Sequence, residues 1–273
     1  MDKKITVLDI QKMKEERRNI TMLTAYDYPF ARILDSAGVD ILLVGDSSGS
    51  VVAGYENTLP VTMEEVIYHT RSVARGRKKA LLVSDMPFMS YQLSIPDARF
   101  NAGRFLKEGG AEAVKLEGGM EIAPTIKELL RLNIPVMGHL GLTPQAIHRL
   151  GGYKVQGRRP QEAEKMVTDA KVLEGVGIFS LVLECVPSKL AGEITRKLAV
   201  PTIGIGAGPS CDGQILVTDD LLGLSETAPL RFVKRYAQLR ATALKAASQY
   251  CKEVREEKFP AAEHEFAETP AKA

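Results

Sequence analysis

The sequence predicts a (β/α)₈ barrel, in which eight strands alternate with helices and close into one sheet. The chain has 273 residues, and a barrel of this kind takes about 250 residues as a single domain. Eight short apolar runs flanked by turn-forming residues have the pattern of buried parallel strands. An open doubly wound sheet would need a glycine-rich phosphate loop after its first strand, and the segment TMLTAYDYPFA has none.

The predicted strands are short, mainly apolar runs of four to six residues, as expected for strands that are covered on both faces. DILLVGD is a typical case, because four apolar residues are followed at once by glycine and aspartate. In chain order, the eight runs cover 21–25, 40–46, 80–87, 112–119, 135–141, 180–187, 201–208 and 213–219.

Helix signals lie between these runs, so that strand is expected to alternate with helix eight times. One segment begins with a capping box formed by Thr62 and Glu65 and ends on Gly76. Others begin at a proline or a capping hydroxyl and close on glycine. The most clearly marked helices are predicted at 61–76, 96–110, 143–152, 160–177 and 188–199.

Residues 1–251 are predicted to form a single barrel domain. Within it, a short amphipathic helix at 5–16 is expected to close one mouth of the barrel. Residues 252–273, KEVREEKFPAAEHEFAETPAKA, are charged and rich in alanine. A segment of this composition buries little apolar surface, so a flexible C-terminal tail is predicted.

The composition argues against several classes of protein. The net charge is +2 with no dense basic patch, so no nucleic acid partner is expected. The sequence has no run of about 18 apolar residues and no apolar region near its start, so neither a membrane span nor a secretory signal is expected. Cys185, Cys211 and Cys251 have no pairing or metal-ligand spacing. Free thiols fit a reducing compartment, and a cytoplasmic location is predicted.

Ionisable side chains stand at the ends of five consecutive predicted strands. Active sites of such barrels are built at the C-terminal ends of the strands. Each residue alone has an ordinary structural explanation, such as a helix cap, a turn or a salt bridge. Their recurrence at equivalent positions favours a functional site. The six residues are Asp46, Asp85, Lys115, Glu117, His139 and Glu184.

The four carboxylates in this set predict a divalent metal ion. Buried carboxylates near one point repel each other, and Lys115 alone cannot compensate them. Oxygen ligands without a cysteine or histidine cluster favour a hard cation, and Mg²⁺ typically takes one or two carboxylates. We expect Asp46 and Asp85 to be direct ligands. Glu117 is either a third ligand or holds a metal-bound water.

The open positions of such a metal predict a bidentate substrate, for example a 2-oxo acid, whose α-proton becomes acidic when its ketone is polarised. Ser47 and Lys115 are placed to hydrogen-bond the substrate carboxylate or enolate. Glu184 lies apart from the metal carboxylates and is the candidate base. His139 is a candidate to donate to a reacting oxygen or to orient the substrate, and Cys185 is expected to point away.

Several segments, in order along the chain, carry a resemblance to one family. They are TAYDYPFARILDSAGVDILLVGDSSGSVVAGYENTLPVTMEEV, SDMPFMSY, VKLEGG, VMGHLGLTPQ, LVLECVP and TIGIGAGPSCDGQILVTDDLLGL. From about residue 4 to about residue 250, the chain resembles the ketopantoate hydroxymethyltransferase family. The resemblance implies a barrel of the phosphoenolpyruvate/pyruvate superfamily. It also implies Mg²⁺-dependent transfer of a one-carbon unit from 5,10-methylenetetrahydrofolate to 3-methyl-2-oxobutanoate, giving 2-dehydropantoate in pantothenate biosynthesis.

The resemblance further implies a function for individual residues. Metal binding is carried over to Asp46, Asp85 and Glu117, and proton acceptance to Glu184. Substrate binding is carried over to Asp46, Ser47, Asp85 and Lys115. Family members are generally cytoplasmic and often decameric, so a homo-oligomer is expected. The reacting carbon carries two methyl groups, and candidates for an apolar pocket wall are Leu42, Leu43, Met137 and Val217.

Two other functions are open on the sequence. GIGAG at 204–208 stands where many barrels bind phosphate, which would fit a lyase of the phosphoenolpyruvate-mutase or isocitrate-lyase type. We favour a turn that needs glycine there, with an approaching folate as a third explanation. A metabolite-binding barrel without catalysis is the other alternative. It would have no use for a separate base, so the presence of Glu184 with Lys115 counts against it.

Overall fold

The computed structural model describes residues 3–226 and 230–266, and these residues form a closed barrel of eight parallel strands. Each strand pairs with the next along the chain, and the last pairs with the first. The predicted barrel is therefore confirmed. The strands are β1 Ile20–Thr24, β2 Ile41–Val44, β3 Leu81–Asp85, β4 Ala113–Glu117, β5 Val136–Gly141, β6 Ser180–Glu184, β7 Thr202–Ile205 and β8 Gly213–Leu216.

Eleven α-helices surround or close the sheet within the described residues. They are α1 Val7–Glu15, α2 Tyr28–Ser36, α3 Ser48–Val51, α4 Met63–Gly76, α5 Ile95–Arg104, α6 Ala123–Arg131, α7 Ile147–Leu150, α8 Pro160–Val176, α9 Ser188–Lys197, α10 Thr218–Leu222 and α11 Leu239–Arg255. All five helices marked by the sequence are present, and the end of the predicted 96–110 helix is a π-helical turn at Phe105–Gly109.

The expected alternation of strand and helix is broken once. Residues 206–212, all of them described, connect β7 to β8 without a helix. The prediction of a helix after every strand was therefore wrong at this position. The sequence contained the reason, because the two predicted strands are separated by only four residues, which is too short for a crossover helix.

The N-terminal helix α1 closes the bottom of the barrel, as predicted. Ile10 and Met13 are 0% and 1% exposed and pack against inward-facing strand residues such as Ile20 and Ile41. The helix is tied to the ends where strands begin, since Lys14 Nζ donates to the carbonyl oxygen of Val200 at 3.0 Å. The bottom is thus filled with apolar side chains, and the opposite end of the barrel is left for polar groups.

Alternate strand residues face the barrel interior and the surrounding helices. Leu43 belongs to the interior cluster, whereas Leu42 and Val44 pack into the outer layer. Leu42 therefore cannot form part of a pocket wall inside the barrel, and that prediction was wrong, because side chains two apart share a face and neighbours do not. Met137 faces the interior but is fully buried among the apolar residues below the open end.

The C-terminal part of the chain is helical further than expected. Helix α11 continues to Arg255, so the predicted boundary between residues 251 and 252 falls inside it. A short 3₁₀ helix follows at Ala262–His264, and the rings of Tyr250 and Phe259 are 5.6 Å apart. The rest of the predicted tail, residues 267–273, lies outside the described residues. None of the described helices is long and apolar enough to cross a lipid bilayer.

Candidate active site

All six predicted strand-end residues line one cavity of about 250 Å³ at the open end of the barrel, together with Ser47. The strand register brings them together. Asp85 is the direct neighbour of Lys115, and Glu117 is the direct neighbour of His139. Glu184 pairs with the last residue of β5 and so stands on the far side of the group. The structure thus gathers in one cavity all the residues that were predicted to bind metal, bind substrate or take part in catalysis.

Two of the acids and the lysine form a tight buried cluster. The backbone N–H of Asp46 donates to Asp85 Oδ2 at 3.1 Å, and Lys115 Nζ lies 3.0 Å from Asp85 Oδ1. Burial raises the pKa of Asp46, and the negative charges of Asp85 and Glu117 raise it further. Burial also raises the pKa of Asp85, although Lys115 opposes this. The cluster therefore holds more negative charge than one lysine can balance.

Lys115 stays charged in this environment. Burial lowers the pKa of Lys115, but the carboxylates of Asp85, Glu117 and Asp46 outweigh burial and raise it overall. Its ammonium group also lies 3.0 Å from His139 Nδ1. Because a protonated lysine has no lone pair, Nδ1 of the neutral imidazole must accept this hydrogen bond.

His139 connects Lys115 to the candidate base. With Nδ1 accepting, the ring proton is on Nε2, which lies 3.2 Å from Glu184 Oε2. Burial and the charge of Lys115 lower the pKa of His139, while Glu117 and Glu184 raise it by more. Glu117 Oε1 is 3.6 Å from Nδ1. The imidazole is thus buried between two carboxylates, and its Nε2 lies within 3.2 Å of Glu184 but makes no hydrogen bond with the described residues.

Gln145 is a part of the site that the sequence analysis missed. Its backbone N–H donates to Glu117 Oε2 at 3.0 Å, and its side-chain Nε2 donates to Asp46 Oδ2 and to the carbonyl oxygen of Met86, both at 2.9 Å. Its Oε1 accepts from the hydroxyl of Tyr91 at 2.9 Å. The segment LTPQ was used as part of the family resemblance and as the start of a predicted helix, and neither use gave the buried side chain of Gln145 a function.

Ser47 is held at the edge of the same cavity. Its hydroxyl lies 2.9 Å from the hydroxyl of Tyr26, which is itself buried. A hydroxyl can donate and accept at the same time, so Ser47 keeps a donor or an acceptor for a ligand while it is bonded to Tyr26. Tyr26, which contacts Ser47, is a second residue of the site that the sequence alone did not indicate.

The cavity offers carboxylate oxygens, the donors that Mg²⁺ prefers. Among the described residues, no three His, Cys, Asp or Glu side chains are grouped so that they could hold a metal ion by themselves. Mg²⁺ needs only one or two carboxylates, because waters and substrate oxygens complete its shell. Asp85 Oδ1 is buried and accepts no hydrogen bond from the described residues, although Lys115 lies beside it. The adjacent carboxylates of Asp46 and Asp85 therefore fit Mg²⁺, because two carboxylates are enough and Asp85 Oδ1 is left without a hydrogen bond from the part of the chain that the structure describes.

The walls of the cavity differ in polarity. The ends of strands β2 to β5 contribute Asp46, Asp85, Lys115, Glu117 and His139, whereas β6, β7 and β8 contribute Glu184 and an apolar wall below and beside it. Leu43 and Val217, both predicted for the wall, line the cavity, and Leu42 and Met137 do not. The apolar wall of the last three strands consists of Val182, Ile205, Ile215 and Val217.

The glycines of GIGAG pack against the protein itself. Gly206 has φ +63°, and a Cβ there would lie 2.9 Å from the ring of Phe232. Gly208 has φ +80°, and a Cβ there would lie 2.2 Å from Ser188 Oγ. Both conformations favour glycine, so the interpretation as a turn is confirmed. Cys185 does not line the cavity, and burial raises its pKa to about 11, with a further contribution from Glu184.

Solved structures of other proteins share the fold. The solved structure of phosphonopyruvate hydrolase in complex with oxalate and Mg²⁺ is similar with a TM-score of 0.62 and 11% identity, over 93% of this chain and 88% of that one. A structure of 2,3-dimethylmalate lyase, a member of the PEP mutase/isocitrate lyase superfamily, has a TM-score of 0.57 and 15% identity, over 97% and 91% of the two chains. At these identities, the likeness concerns the fold alone.

Sequence comparison is far more specific. The family model for ketopantoate hydroxymethyltransferase matches residues 4–262. Proteins named 3-methyl-2-oxobutanoate hydroxymethyltransferase are 59% identical in Pelobacter propionicus, over 97% of this chain and 98% of the relative, and 56% identical in Moorella thermoacetica, over 96% and 98%. With the barrel and the strand-end cluster in place, these matches show that the chain belongs to the ketopantoate hydroxymethyltransferase family and is a transferase.

Proposed function

We propose that this hydroxymethyltransferase of pantothenate biosynthesis takes its one-carbon unit from 5,10-methylenetetrahydrofolate and adds it to C3 of 3-methyl-2-oxobutanoate, giving 2-dehydropantoate, with Mg²⁺ as cofactor. The observation that carries the proposal is the placement of Glu184 across one cavity from the acid pair Asp46 and Asp85. A base separated from a metal-binding acid pair is what proton abstraction next to a carbonyl needs.

The acid pair and its surroundings account for binding of the oxo acid. Asp46 and Asp85 are proposed to hold Mg²⁺, and Glu117 to hold one of its waters. Bound Mg²⁺ would polarise the keto group of the oxo acid and stabilise the charge that develops on its oxygen. Lys115 and Ser47 both line the cavity, and they are proposed to hydrogen-bond the carboxylate or enolate oxygens of the substrate.

Glu184 is proposed to remove the proton from C3, and His139 is proposed to orient Glu184 through the Nε2 contact at 3.2 Å. The deprotonated C3 then attacks the methylene carbon of the folate. One C–C bond forms, and the two C–N bonds of the methylene bridge break. Water supplies the hydroxyl group, and the C3 proton and one proton of water end on the two folate nitrogens. The apolar wall suits the two methyl groups on C3.

The proposal is tested by measuring removal of the C3 proton and transfer of the one-carbon unit in separate experiments. Incubation with 3-methyl-2-oxobutanoate and Mg²⁺ in deuterated water, without folate, should place deuterium at C3. Addition of the folate should yield 2-dehydropantoate, and EDTA should stop both reactions. A metabolite-binding barrel would give no exchange. A lyase like the structural neighbours would instead cleave 2,3-dimethylmalate or a phosphonate, and such cleavage without folate-dependent transfer would contradict the proposal.

A homo-oligomer in the cytoplasm is part of the same proposal. None of the 17 described side chains of α11 is buried, and Leu244 and Tyr250 are more than half exposed. Exposed apolar surface of this kind supports association of copies. All three cysteines lie within the described residues and are free thiols, which supports a reducing compartment. Sedimentation of the purified protein tests the oligomer.

A further inference from the structure

The proposed chemistry uses only one half of the cavity. The charged residues of β2 to β5 are sufficient for the oxo acid and its metal. The other half is the apolar wall of β6 to β8, and it continues to Leu230 at the rim of the cavity. Val182 and Ile205 of this apolar half flank Glu184 on β6 and β7, so the apolar half borders the position proposed for C3, which a second substrate must reach. The donor of the one-carbon unit therefore has to meet this surface.

One charged residue interrupts the apolar half. Asp220 lies on α10, directly after β8, and its side chain lines the cavity. It is half-buried, and its carboxylate accepts no hydrogen bond from the residues that the structure describes. Burial raises the pKa of Asp220, although the charge of Arg235 opposes this. The proposed reaction gives this carboxylate no task, so its position beside an apolar wall needs another explanation.

A reduced pterin has the matching chemistry. Its ring is flat enough to lie along an apolar wall, and one edge of it presents an N3–H and a 2-amino group side by side. Two parallel donors of this kind fit the two oxygens of one carboxylate, as in other bidentate carboxylate contacts. Ligand pockets commonly combine a large apolar surface with a few polar groups that set the orientation.

We propose that the apolar half of the cavity is the binding site for the pterin ring of the folate donor, with the Asp220 carboxylate accepting hydrogen bonds from N3–H and the 2-amino group. This inference rests on the proposed function, because it assumes that the donor is a folate. With the pyrimidine edge of the ring held at Asp220, the rest of the donor lies between Asp220 and Glu184, where its methylene carbon can meet C3.

The neighbouring residue provides a matched control. Asp219 is on the same helix but faces a separate cavity of about 90 Å³, which is lined by residues that include Tyr26, Asp27 and His69. It is also a partly buried carboxylate with a raised pKa. Asp219→Asn and Asp220→Asn thus make the same chemical change on the same helix, but only the second changes the wall of the catalytic cavity.

The test compares the two variants in two reactions. For Asp220→Asn, we expect the KM for 5,10-methylenetetrahydrofolate to rise roughly tenfold to hundredfold, the usual effect of losing hydrogen bonds to a charged group. Its folate-independent exchange of the C3 proton should stay within about twofold of wild type. Asp219→Asn should change neither quantity. Asp220→Glu keeps the charge and displaces it by one methylene, so a smaller rise in KM is expected.

A fragment identifies the part of the donor that Asp220 binds. 6-Methyltetrahydropterin has the ring without the benzoyl-glutamate tail, and its inhibition constant should rise in Asp220→Asn by the same factor as the KM. An unchanged KM for 5,10-methylenetetrahydrofolate in Asp220→Asn would overturn the inference. A raised KM with an unchanged inhibition constant for 6-methyltetrahydropterin would also overturn it, because Asp220 would then not bind the ring. The same holds if Asp220→Asn lowers the exchange of the C3 proton as much as it lowers the transfer reaction. If the wild type transfers nothing from folate, the proposed function fails instead, and binding of the fragment still tests the ring site.

Discussion

The side-chain amide of Gln145 donates a hydrogen bond to Asp46, and the contacts of this amide allow it only one orientation. Nε2 donates to Asp46 Oδ2 and to the carbonyl oxygen of Met86, and Oε1 accepts from Tyr91 and from Gln92 Nε2 at 2.9 Å. Rotation of the amide by half a turn would face its oxygen towards two other oxygens. One oxygen of Asp46 is thus occupied by the protein, and the other is left for a ligand.

The first prediction follows from this arrangement. In Gln145→Leu, Asp46 loses the hydrogen bond that orients it, and the affinity for Mg²⁺ should fall about 10- to 100-fold, as for other residues that support a metal ligand. Titration calorimetry with Mg²⁺ in the absence of substrate measures this directly. Gln92→Ala is the control, since it removes a partner of the same amide without changing the contact to Asp46. Equal metal affinities of Gln145→Leu and wild type would show that Asp46 does not depend on Gln145.

Gln145 also shows where sequence reasoning stops. The eight strands were recognisable because each contains a short apolar run flanked by turn-forming residues, and the acids at their ends became a group once the barrel was assumed. Both steps depend on local pattern and on a general property of barrels. Gln145, in contrast, reaches the site through the turn after β5, and nothing in LTPQ indicates where its side chain points. The contact to Asp46, 99 positions earlier in the chain, exists only after folding.

Two further features were not predicted from the sequence: the position of the Asp220 side chain and the missing helix between β7 and β8. The predicted strand at 213–219 ended on Asp219, Asp220 was given no function, and the sequence did not indicate that the two residues would face different cavities. For β7 and β8, the short separation was visible in the sequence, but the regular alternation elsewhere was extended over it. The regular alternation of strand and helix therefore predicted the other connections correctly and failed at the one between β7 and β8.

The second prediction concerns the base. Glu184→Gln keeps the size of the side chain and a hydrogen-bonding oxygen, but it cannot take the C3 proton. Exchange of that proton in deuterated water should fall by about 10²- to 10⁴-fold, the usual contribution of general base catalysis. Binding of the oxo acid in the presence of Mg²⁺ should stay close to wild type, as measured by calorimetry. Exchange at the wild-type rate would remove Glu184 from this role.

The third prediction is a pH dependence of stability at Asp219. Burial raises the pKa of Asp219 from 3.8 to about 6. The folded state therefore binds more protons than the unfolded state between these values, so this residue makes the protein less stable as the pH rises through that window. Asp219→Asn cannot ionise and lacks this effect. Urea unfolding at pH 4.5 and pH 7.5 should show the variant gaining stability relative to wild type at the higher pH. A difference independent of pH would contradict the raised pKa.

The fourth prediction separates the two faces of β2. Leu42 is 0% exposed and packs among the helices, whereas Leu43 lines the cavity. Leu42→Ala should lower the free energy of unfolding by about 2–5 kcal/mol, as for other buried leucines, and leave the KM for the oxo acid unchanged. Leu43→Ala should also raise that KM several-fold, because it removes part of the wall beside the substrate. Urea unfolding and initial rates with varied oxo acid measure both quantities. The prediction is wrong if Leu42→Ala changes the KM as much as Leu43→Ala does, since the two side chains would then not be divided between the layer of helices and the cavity.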